Sequence, residues 1–232
     1  MAITQNNICI IPARGGSKRI PKKNVKNFLG KPIIAYSIEA ALKSGLFSEV
    51  MVSTDDFEIA EIAKSYGAKV PFYRTELLSD DYTPLRDVFL EVLREYHKRG
   101  FAFLNFCGIL PTAPLLTSED LKRSYSLLGT DAKAVMSVVE YDFPIERFLR
   151  EKDGFLSIGD TDSYRKRSQD FPLNYHDAGQ FYWANVEGYE SLGSFFSLNA
   201  KAYKLNLNKA VDIDTMEDWE KAEIIYKYFN DH

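Results

Sequence analysis

Short apolar runs alternate with stretches of helical periodicity along the first 140 residues. Five runs have the length and composition of strands: 7–12, 49–54, 69–73, 103–110 and 134–140. Several are apolar on both faces, which is typical of a parallel sheet covered by helices on both sides. We therefore predict an α/β fold with one mostly parallel, Rossmann-like sheet and helices on both of its faces.

Capping and stop signals locate the helices between these strands. Proline is favoured in the first turn of a helix, Asp and Thr side chains cap helix N-termini, and glycine ends helices. The signals are Pro32 for the first helix, the capping-box pairs Asp55/Glu58, Thr117/Asp120 and Thr215/Asp218 for later helices, and Gly67 for a helix end.

The pattern changes after Glu140. Residues 148–160 predict a small β-hairpin around the turn Lys152-Asp153-Gly154, and residues 161–180 are polar and irregular. We expect an insert around 141–178 that forms a lid or a dimerisation contact. Beyond it, residues 178–186 predict a further strand, and residues 201–213 carry at least one more.

Composition limits the domain count and the classes of partner. A chain of 232 residues that is 45% hydrophobic can bury a full core, and no repeat or linker divides it, so we expect one domain over 1–232. The net charge is -4, which leaves no overall basic surface for duplex nucleic acid or for an anionic membrane. We therefore expect neither nucleic acid nor a membrane among the partners.

The apolar runs and the two cysteines indicate the compartment. No run reaches the roughly 18 residues of a membrane span, and the first residues lack the pattern of a secretory signal, so a cytoplasmic location is expected. Cys9 and Cys107 lie inside apolar runs, where a thiol behaves as a small hydrophobic side chain. A structural disulfide is not expected.

The stretch IIPARGGSKRIPKKN, residues 10–24, follows the first predicted strand and concentrates positive charge around two glycines. In an open parallel sheet, ligands bind beyond the carboxyl ends of the strands. We expect Gly15 and Gly16 to adopt positive φ and to bring backbone N–H groups to an oxyanion. Arg14 can bind phosphate oxygens with its forked guanidinium, and Lys18 and Lys23 supply point charges.

This loop matches neither of two well-known phosphate motifs. The spacing Gly-x-x-x-x-Gly-Lys-Ser/Thr and the spacing Gly-x-Gly-x-x-Gly are both missing from residues 10–24. A solvated basic loop is the alternative interpretation, and it explains the charge but not the glycines. We assign Lys22, Lys26 and Lys31 to that interpretation.

Two acids alternate in the sequence VDID. Alternate residues of a strand point the same way, so Asp212 and Asp214 can face one cavity. Two carboxylates repel each other unless a cation lies between them, and Mg²⁺ accepts one or two carboxylates together with phosphate oxygens and waters. We predict a Mg²⁺ site here. The alternative is that Asp214 caps the following helix, which accounts for one acid but not for the pair.

Several segments in a fixed order resemble a known family. The segments IIPARGGSKRIPKKN, FLGKPIIAYSIEAALKSG, VSTDD, PTAPLLTSEDL and VDIDTMEDW are similar to those of cytidylyltransferases that activate nine-carbon, sialic-acid-like sugars. Within that family, KRSQD and YHDAGQFYW resemble the pseudaminic acid type more than the neuraminate type. The resemblance implies a nucleotide-diphospho-sugar transferase-like fold.

The resemblance also implies where CTP binds. Its phosphates and base would be surrounded by residues of the first loop, and Arg74 with Thr83 would help to select cytosine. A guanidinium can bind the cytosine acceptors but not the exocyclic amine, which needs a carbonyl from residues 80–84. A surface ion pair is the alternative role for Arg74. The implied nucleotide-binding residues of the first loop are Ala13, Arg14, Gly15, Ser17, Lys18, Lys23 and Asn24.

Sugar recognition is expected from the second half of the chain. A nonulosonic acid carries a carboxylate, amides and hydroxyls, which call for a cation, amide side chains and aromatic walls. By resemblance, Arg167 matches an active-site arginine of the neuraminate enzymes, and His176 stands where they carry a second arginine. Leu110 and Leu116 also depart from those enzymes, which have Gln and Arg there. The residues expected to bind the sugar are Arg167, His176, Gln180 and Tyr182.

The resemblance therefore implies an enzyme that converts CTP and a nonulosonic acid, of the pseudaminic type, to the CMP-sugar and pyrophosphate for surface glycan or flagellin glycosylation. Arg14, Lys18 and Asp214 would be the catalytic residues, Mg²⁺ the cofactor, and a homodimer the expected assembly. The alternatives are N-acetylneuraminic, legionaminic or 3-deoxy-octulosonic acid as the acceptor, and a nucleotide-binding module without catalysis.

Overall fold

The computed structural model describes residues 3–230. The six strands of its main sheet are β1 (Ile3–Pro12), β4 (Glu49–Ser53), β5 (Phe101–Ile109), β6 (Ala134–Glu140), β9 (Tyr175–Asn185) and β10 (Ala200–Lys204). Their order across the sheet is β10-β6-β9-β5-β1-β4. Two short ladders lie outside the sheet, β2 (Asn27–Phe28) with β3 (Lys31–Pro32), and β7 (Leu149–Lys152) with β8 (Phe155–Ile158).

The sheet is mostly parallel, as predicted. β1 is parallel to both β4 and β5, and β10 is parallel to β6, whereas β9 runs antiparallel to β5 and β6. The α-helices are α1 (Ile33–Ser44), α2 (Phe57–Ser65), α3 (Leu85–Lys98), α4 (Ser118–Tyr125), α5 (Thr161–Arg165), α6 (Val186–Leu192) and α7 (Met216–Asn230). No helix within residues 3–230 is both long and apolar enough to cross a membrane.

Helices cover both faces of the sheet, which confirms the prediction from the two-sided apolar strands. On β1, Cys9 and Ile11 pack in one buried cluster with α1, α2 and α4, while Ile8 and Ile10 pack in a second cluster with α3 and α6. Both cysteine thiols are buried and free. The two sides of the core therefore hold the ends of β1 and β5 in fixed positions.

A third buried cluster supports the edge of the sheet where the site lies. Ile20 from the loop after β1 packs with Val211, Ile213 and Trp219 near the start of α7. The predicted capping box of α7 forms, since Asp218 N–H donates to Thr215 Oγ1 over 3.2 Å and Asp218 Oδ2 accepts from Thr215 N–H over 2.8 Å. The cluster ties the chain between residues 210 and 219 to the loop after β1.

Two local predictions are wrong. The run 69–73 does not form a strand, because only Lys69 bridges to Met51 and Pro71, two residues later, lacks the N–H that a ladder requires. The helix cap before α2 is Asp56 rather than Asp55, since Asp56 Oδ1 accepts from Ile59 N–H over 3.0 Å. The Thr117/Asp120 capping box and the hairpin of β7 and β8 form as predicted.

Candidate functional site

A cleft of about 490 Å³ lies beyond the carboxyl ends of β1 and β5. It lies between the loop after β1, residues 13–24, which we call the glycine loop, and the loop before α3, residues 75–84, which we call the acidic loop. Ligand pockets commonly have a volume of about 300–1,000 Å³. The predicted residues that line it are Arg14, Ser17, Lys18, Lys23, Asn24, Arg74, Thr83, Asp212 and Asp214.

The backbone of the glycine loop is held against the end of β4. Ala13, which is buried, donates its N–H to Ser53 O over 2.9 Å, and Gly15 N–H donates to Asp55 Oδ1 over 2.9 Å. The expectation of positive φ at the two glycines is wrong, since neither adopts it. Gly15 is required for close approach instead, because a methyl group there would lie 2.8 Å from Asp56 Oδ2.

Asn24 fixes the shape of the same loop from inside. Its side chain is buried, and its Nδ2 donates to Arg14 O over 2.9 Å. This contact holds the backbone from which the Arg14 side chain extends into the cleft. Asn24 thus acts on the loop itself in this structure as well as lining the cleft.

The acidic loop faces the cations of the glycine loop. Asp81 pairs with Arg14 through one carboxylate oxygen and with Lys18 through the other. Hydrogen bonds from Lys18 and Arg14 lower the pKa of Asp81. Sequence reasoning missed Asp81, although the doubled acid Asp80-Asp81 beside Thr83 is a signal that could have drawn attention to it.

Thr83 and Asp80 organise the acidic loop internally. Asp80 Oδ1 accepts from Thr83 N–H over 2.6 Å, from Thr83 Oγ1 over 2.7 Å and from Tyr82 N–H over 3.0 Å. These bonds close a tight turn of the kind that Asp side chains favour. Thr83 therefore reaches the cleft from a turn held by Asp80, while Asp81 points across to the glycine loop.

Arg74 is buried at the end of β4. Its Nε donates to Ser53 Oγ over 3.1 Å and its Nη2 donates to Ser53 O over 2.6 Å. Desolvation by burial lowers the pKa of Arg74 to about 10. The alternative of a surface ion pair is wrong, because the guanidinium is buried and is oriented by Ser53 toward the cleft that it lines.

Asp212 and Asp214 share the cleft, as the alternation of VDID predicts. The segment that carries them is not a strand, yet Val211 and Ile213 turn inward to the third cluster while both acids face the cleft. Asp214 Oδ1 lies 2.8 Å from Arg19 Nη2 and 3.4 Å from Lys23 Nζ. Partial desolvation and the neighbouring charge of Asp214 raise the pKa of Asp212.

The alternative role of Asp214 as a helix cap is wrong. The capping hydroxyl belongs to Thr215, and the Asp214 carboxylate contacts Arg19 instead. The donor set fits Mg²⁺, which takes one or two protein carboxylates and completes its octahedron with phosphate oxygens and waters. Within residues 3–230, no group of three or more acids, cysteines or histidines is arranged to hold a metal, so phosphate oxygens and waters would have to supply the ligands beyond these two acids.

The four residues expected to bind the sugar do not line this cleft. Arg167 forms a bidentate pair with Asp170, from Nε to Oδ2 over 3.1 Å and from Nη2 to Oδ1 over 3.0 Å. His176 is exposed, its Nδ1–H donates to Asp177 O over 2.8 Å, and its ring lies 4.9 Å from that of Tyr141. Both residues belong to the insert of residues 141–178, and neither lines the cleft with Arg14 and Asp214.

Gln180 and Tyr182 are buried in β9. Gln180 Nε2 donates to Val211 O and to Ala178 O, each over 3.2 Å, so it ties β9 to the segment that carries Asp212. Tyr182 OH donates to Asp177 Oδ2 over 2.8 Å. The sequence predicted Gln180 as a sugar-binding residue and gave no sign of this supporting contact with Val211.

A bulge of β9 allows this contact. The pairing of β9 with β6 shifts register between Met136 and Val138, and Gly179 within the bulge has φ of 60°. Gly179 lies close to Asp212: a methyl group added to its Cα would be 3.4 Å from the carboxyl carbon of Asp212. Glycine is favoured here because a side chain rarely adopts this backbone conformation.

Leu110 and Leu116, the two departures in the segment LPTAPLLT, separate in the structure. Leu110 lines the cleft directly after β5. Leu116 is buried in the cluster beneath α1, α2 and α4, and it borders a different cavity. Of these two departures, only the one at Leu110 changes the surface of this cleft.

Comparison with known proteins identifies the family. Residues 8–228 match the family described as cytidylyltransferase. The chain belongs to the cytidylyltransferase family. It is 42% identical over 223 residues to a pseudaminic acid cytidylyltransferase of Campylobacter jejuni, covering 95% of this chain and 96% of that one. It is 31% identical to a CMP-N,N'-diacetyllegionaminic acid synthase of Legionella pneumophila, covering 93% and 94% of the two chains.

The same fold occurs in a solved structure of a cytidylyltransferase. The structure of CMP:2-keto-3-deoxy-manno-octonic acid synthetase complexed with CTP aligns with a TM-score of 0.69 at 16% identity, covering 97% of this chain and 100% of that one. This similarity confirms the predicted nucleotide-diphospho-sugar transferase-like fold. The family match and the 42% identical relative make nucleotidyl transfer the reaction class of this cytidylyltransferase.

Proposed function

We propose that this cytidylyltransferase transfers CMP from CTP to pseudaminic acid and releases pyrophosphate. The observation that carries the proposal is the convergence of Arg14, Lys18 and the pair Asp212/Asp214 on one cleft, in a chain 42% identical to a pseudaminic acid cytidylyltransferase. The product would serve surface glycan or flagellin glycosylation, and the enzyme would work in the cytoplasm.

The side chains of the cleft have distinct tasks in this reaction. The anomeric hydroxyl of the sugar attacks the α-phosphorus in line, and pyrophosphate leaves on the opposite side. Positioning and charge neutralisation supply most of the catalysis in such transfers. Arg14 and Lys18 bind the departing pyrophosphate, and Lys23, with Nζ 2.7 Å from Ile213 O, holds the glycine loop beside Asp214.

Charge balance supports a divalent cation in this reaction. Five cationic side chains and four carboxylates line the cleft, so it has little net positive charge of its own. A triphosphate brings about four negative charges. Asp212 and Asp214 would hold Mg²⁺, which, when bound, neutralises phosphate charge and lowers the pKa of a hydroxyl beside it.

Arg74 and Thr83 are the proposed cytosine contacts. Ser53 fixes the Arg74 guanidinium, which can donate to the O2 and N3 acceptors of cytosine. The turn at residues 80–84 supplies the acceptor for the exocyclic amine. A preference for CTP over UTP follows, because uracil offers a carbonyl where cytosine offers that amine.

The sugar would be bound with the help of the insert around 141–178. Arg167 and His176, both within this insert, carry the cation and the ring that the sugar acid requires. We propose that the insert acts as a lid or as the contact of a homodimer, and that Gln180 and Tyr182 support the sugar side of the cleft from β9.

Pyrophosphate release tests this function. The purified protein is assayed with Mg²⁺ and CTP, with pseudaminic acid and N-acetylneuraminic acid as parallel acceptors and UTP as the nucleotide control. We expect release with CTP and pseudaminic acid alone. Release with N-acetylneuraminic, legionaminic or 3-deoxy-octulosonic acid instead would keep the reaction and change the acceptor, and no release with any of these would favour a nucleotide-binding module.

A further inference from the structure

Two of the proposed phosphate-binding cations form ion pairs with an acid of the same chain. Arg14 and Lys18 come from the glycine loop, and Asp81 comes from the acidic loop across the cleft. Each carboxylate oxygen of Asp81 contacts one of these cations. A triphosphate that binds Arg14 and Lys18 must therefore compete with Asp81.

We infer that Asp81 is an exchangeable internal ligand for the phosphate-binding cations, displaced when the triphosphate enters and restored when pyrophosphate leaves. The inference rests on the proposed role of Arg14 and Lys18 in binding phosphate. In the free enzyme, Asp81 keeps both cations extended into the cleft and compensates their charge. After the transfer, it competes with pyrophosphate for them and so promotes release of that product.

The acidic loop has the features that such an exchange requires. The Asp81 carboxylate is not the one that closes the turn of residues 80–83, because Asp80 is the acid that accepts from Tyr82 and Thr83. Leu77 is 87% exposed and Tyr82 is 91% exposed, so neither of these two side chains anchors the loop to the core, and Leu78 is half-buried where it lines the cleft. The Asp81 side chain can therefore move away from the glycine loop without breaking the hydrogen bonds that close the turn.

The partly exposed position of the pair makes the exchange feasible. The Asp81 side chain is 26% exposed, and that of Arg14 is 33% exposed. Ion pairs in such positions are weak, since water solvates their separated partners. A polyphosphate offers more negative charge and more oxygens to the same donors, so it displaces one carboxylate.

Binding of inorganic pyrophosphate tests the inference directly. We expect Asp81→Asn to bind pyrophosphate about tenfold more tightly than wild type in calorimetry, because the two ion pairs of Asp81 no longer compete. Pyrophosphate should also inhibit turnover of this variant at about tenfold lower concentration. Asp131→Asn is the control, because it removes an acid that pairs with Lys201 outside the cleft, and its affinity should change less than about twofold.

A second variant separates this inference from the proposed function. Arg14→Gln should weaken pyrophosphate binding, and Asp81→Asn should gain less affinity in that background because only Lys18 remains to be released. If Arg14→Gln binds pyrophosphate as wild type does, the phosphate site and the exchange are both overturned. If Arg14→Gln weakens binding and Asp81→Asn does not strengthen it, the exchange alone is overturned.

Discussion

At the scale of single residues, the cationic side chains that line the cleft are nearly matched in number by carboxylates. The Asp214 carboxylate pairs with Arg19 and Lys23. Burial and the neighbouring charge of Asp214 raise the pKa of Asp212. An enzyme that moves a polyphosphate needs this kind of compensated site, because uncompensated charge would have to be desolvated before the substrate arrived.

Asp214→Asn should nearly abolish turnover, by roughly 100-fold or more, because one of the two proposed Mg²⁺ ligands is lost. The fold should survive, since the Asp214 side chain faces the cleft rather than the core. Circular dichroism and pyrophosphate release measure the two effects separately. Asp131→Asn, which removes an acid paired with Lys201 outside the cleft, is the control. Unchanged turnover in Asp214→Asn would remove the metal role.

The same substitution should lower the pKa of Asp212. Burial is the main cause that raises this pKa, and the charge of Asp214 is the second, so Asp214→Asn removes only the second. A carboxyl whose pKa is raised by folding favours the protonated form, so its contribution to stability increases as pH falls through the folded pKa. Carbon-13 NMR titration of the Asp212 carboxyl measures the shift. An unaltered pKa would mean that the two acids do not interact.

At the scale of elements, the bulge of β9 connects the sheet to the segment that carries the acids. Gln180 reaches Val211 O through this bulge, and Ser137 Oγ donates to Phe181 O over 2.9 Å, where the ladder with β6 is interrupted. A bulge that re-aims side chains near a functional site is a recurrent feature of sheets. Here it lets an amide from the core of the sheet hold an irregular segment.

Gln180→Leu should therefore affect both stability and the Mg²⁺ requirement. A buried carbonyl that loses its donor costs about 1–3 kcal/mol in the free energy of unfolding. Val211 directly precedes Asp212, so without the hydrogen bond from Gln180 the segment that carries the two acids is held less firmly. A higher Mg²⁺ concentration should then be needed for half-maximal turnover. Denaturant unfolding and Mg²⁺ titration are the measurements. Gln169→Leu, at an exposed position, is the control for stability; equal unfolding energies for both variants would contradict the prediction.

Another element-scale prediction concerns the contact of β5 with α3. An added methyl group at Gly108 would lie 2.3 Å from Phe89 Cζ, within the buried second cluster. Gly108→Ala should lower the free energy of unfolding by about 1–3 kcal/mol through overpacking. Chemical denaturation measures it. Gly129→Ala is the control, since its nearest contact is the flexible Asp131 side chain at 3.3 Å. If Gly108→Ala lowered the free energy of unfolding no more than Gly129→Ala does, α3 would be shown to shift and accommodate the added methyl group.

At the scale of the whole molecule, the hairpin of β7 and β8 is the feature that suggests a second copy. All eight of its strand residues are exposed, including Phe155 at 80% and Leu156 at 69%. A two-stranded hairpin is at best marginally stable alone in water. The proposed homodimer would give these apolar side chains a partner.

Light scattering tests the assembly. The proposal predicts a wild-type mass about twice that of the 26.5 kDa chain, and a monomer for the double substitution Phe155→Ser with Leu156→Ser. Leu192→Ser, another exposed apolar position at 55%, should leave the mass unchanged. A monomeric wild type would refute the dimer, and a dimeric hairpin variant would place the contact elsewhere.

Local patterns were sufficient for much of this fold. Apolar patterns predicted all six sheet strands in outline, and capping residues located α4 and α7. These signals are readable because they depend on neighbours within a few residues. Where a distant contact intervened, as for Asp55 bonded to Gly15, the local rule chose the wrong cap.

The sequence by itself determined the class of fold, the glycine loop after the first strand, and the placement of Asp212 and Asp214 on one side of their segment. Only the tertiary structure decided that Asp81 pairs with Arg14 and Lys18, that Gln180 supports Val211, and that the run after Lys69 is not a strand. Periodicity and capping are short-range properties of the chain. Pairing across a cleft depends on which loops the sheet brings together, and residues 13–24 and 75–84 meet only because the core fixes β1 and β4 side by side.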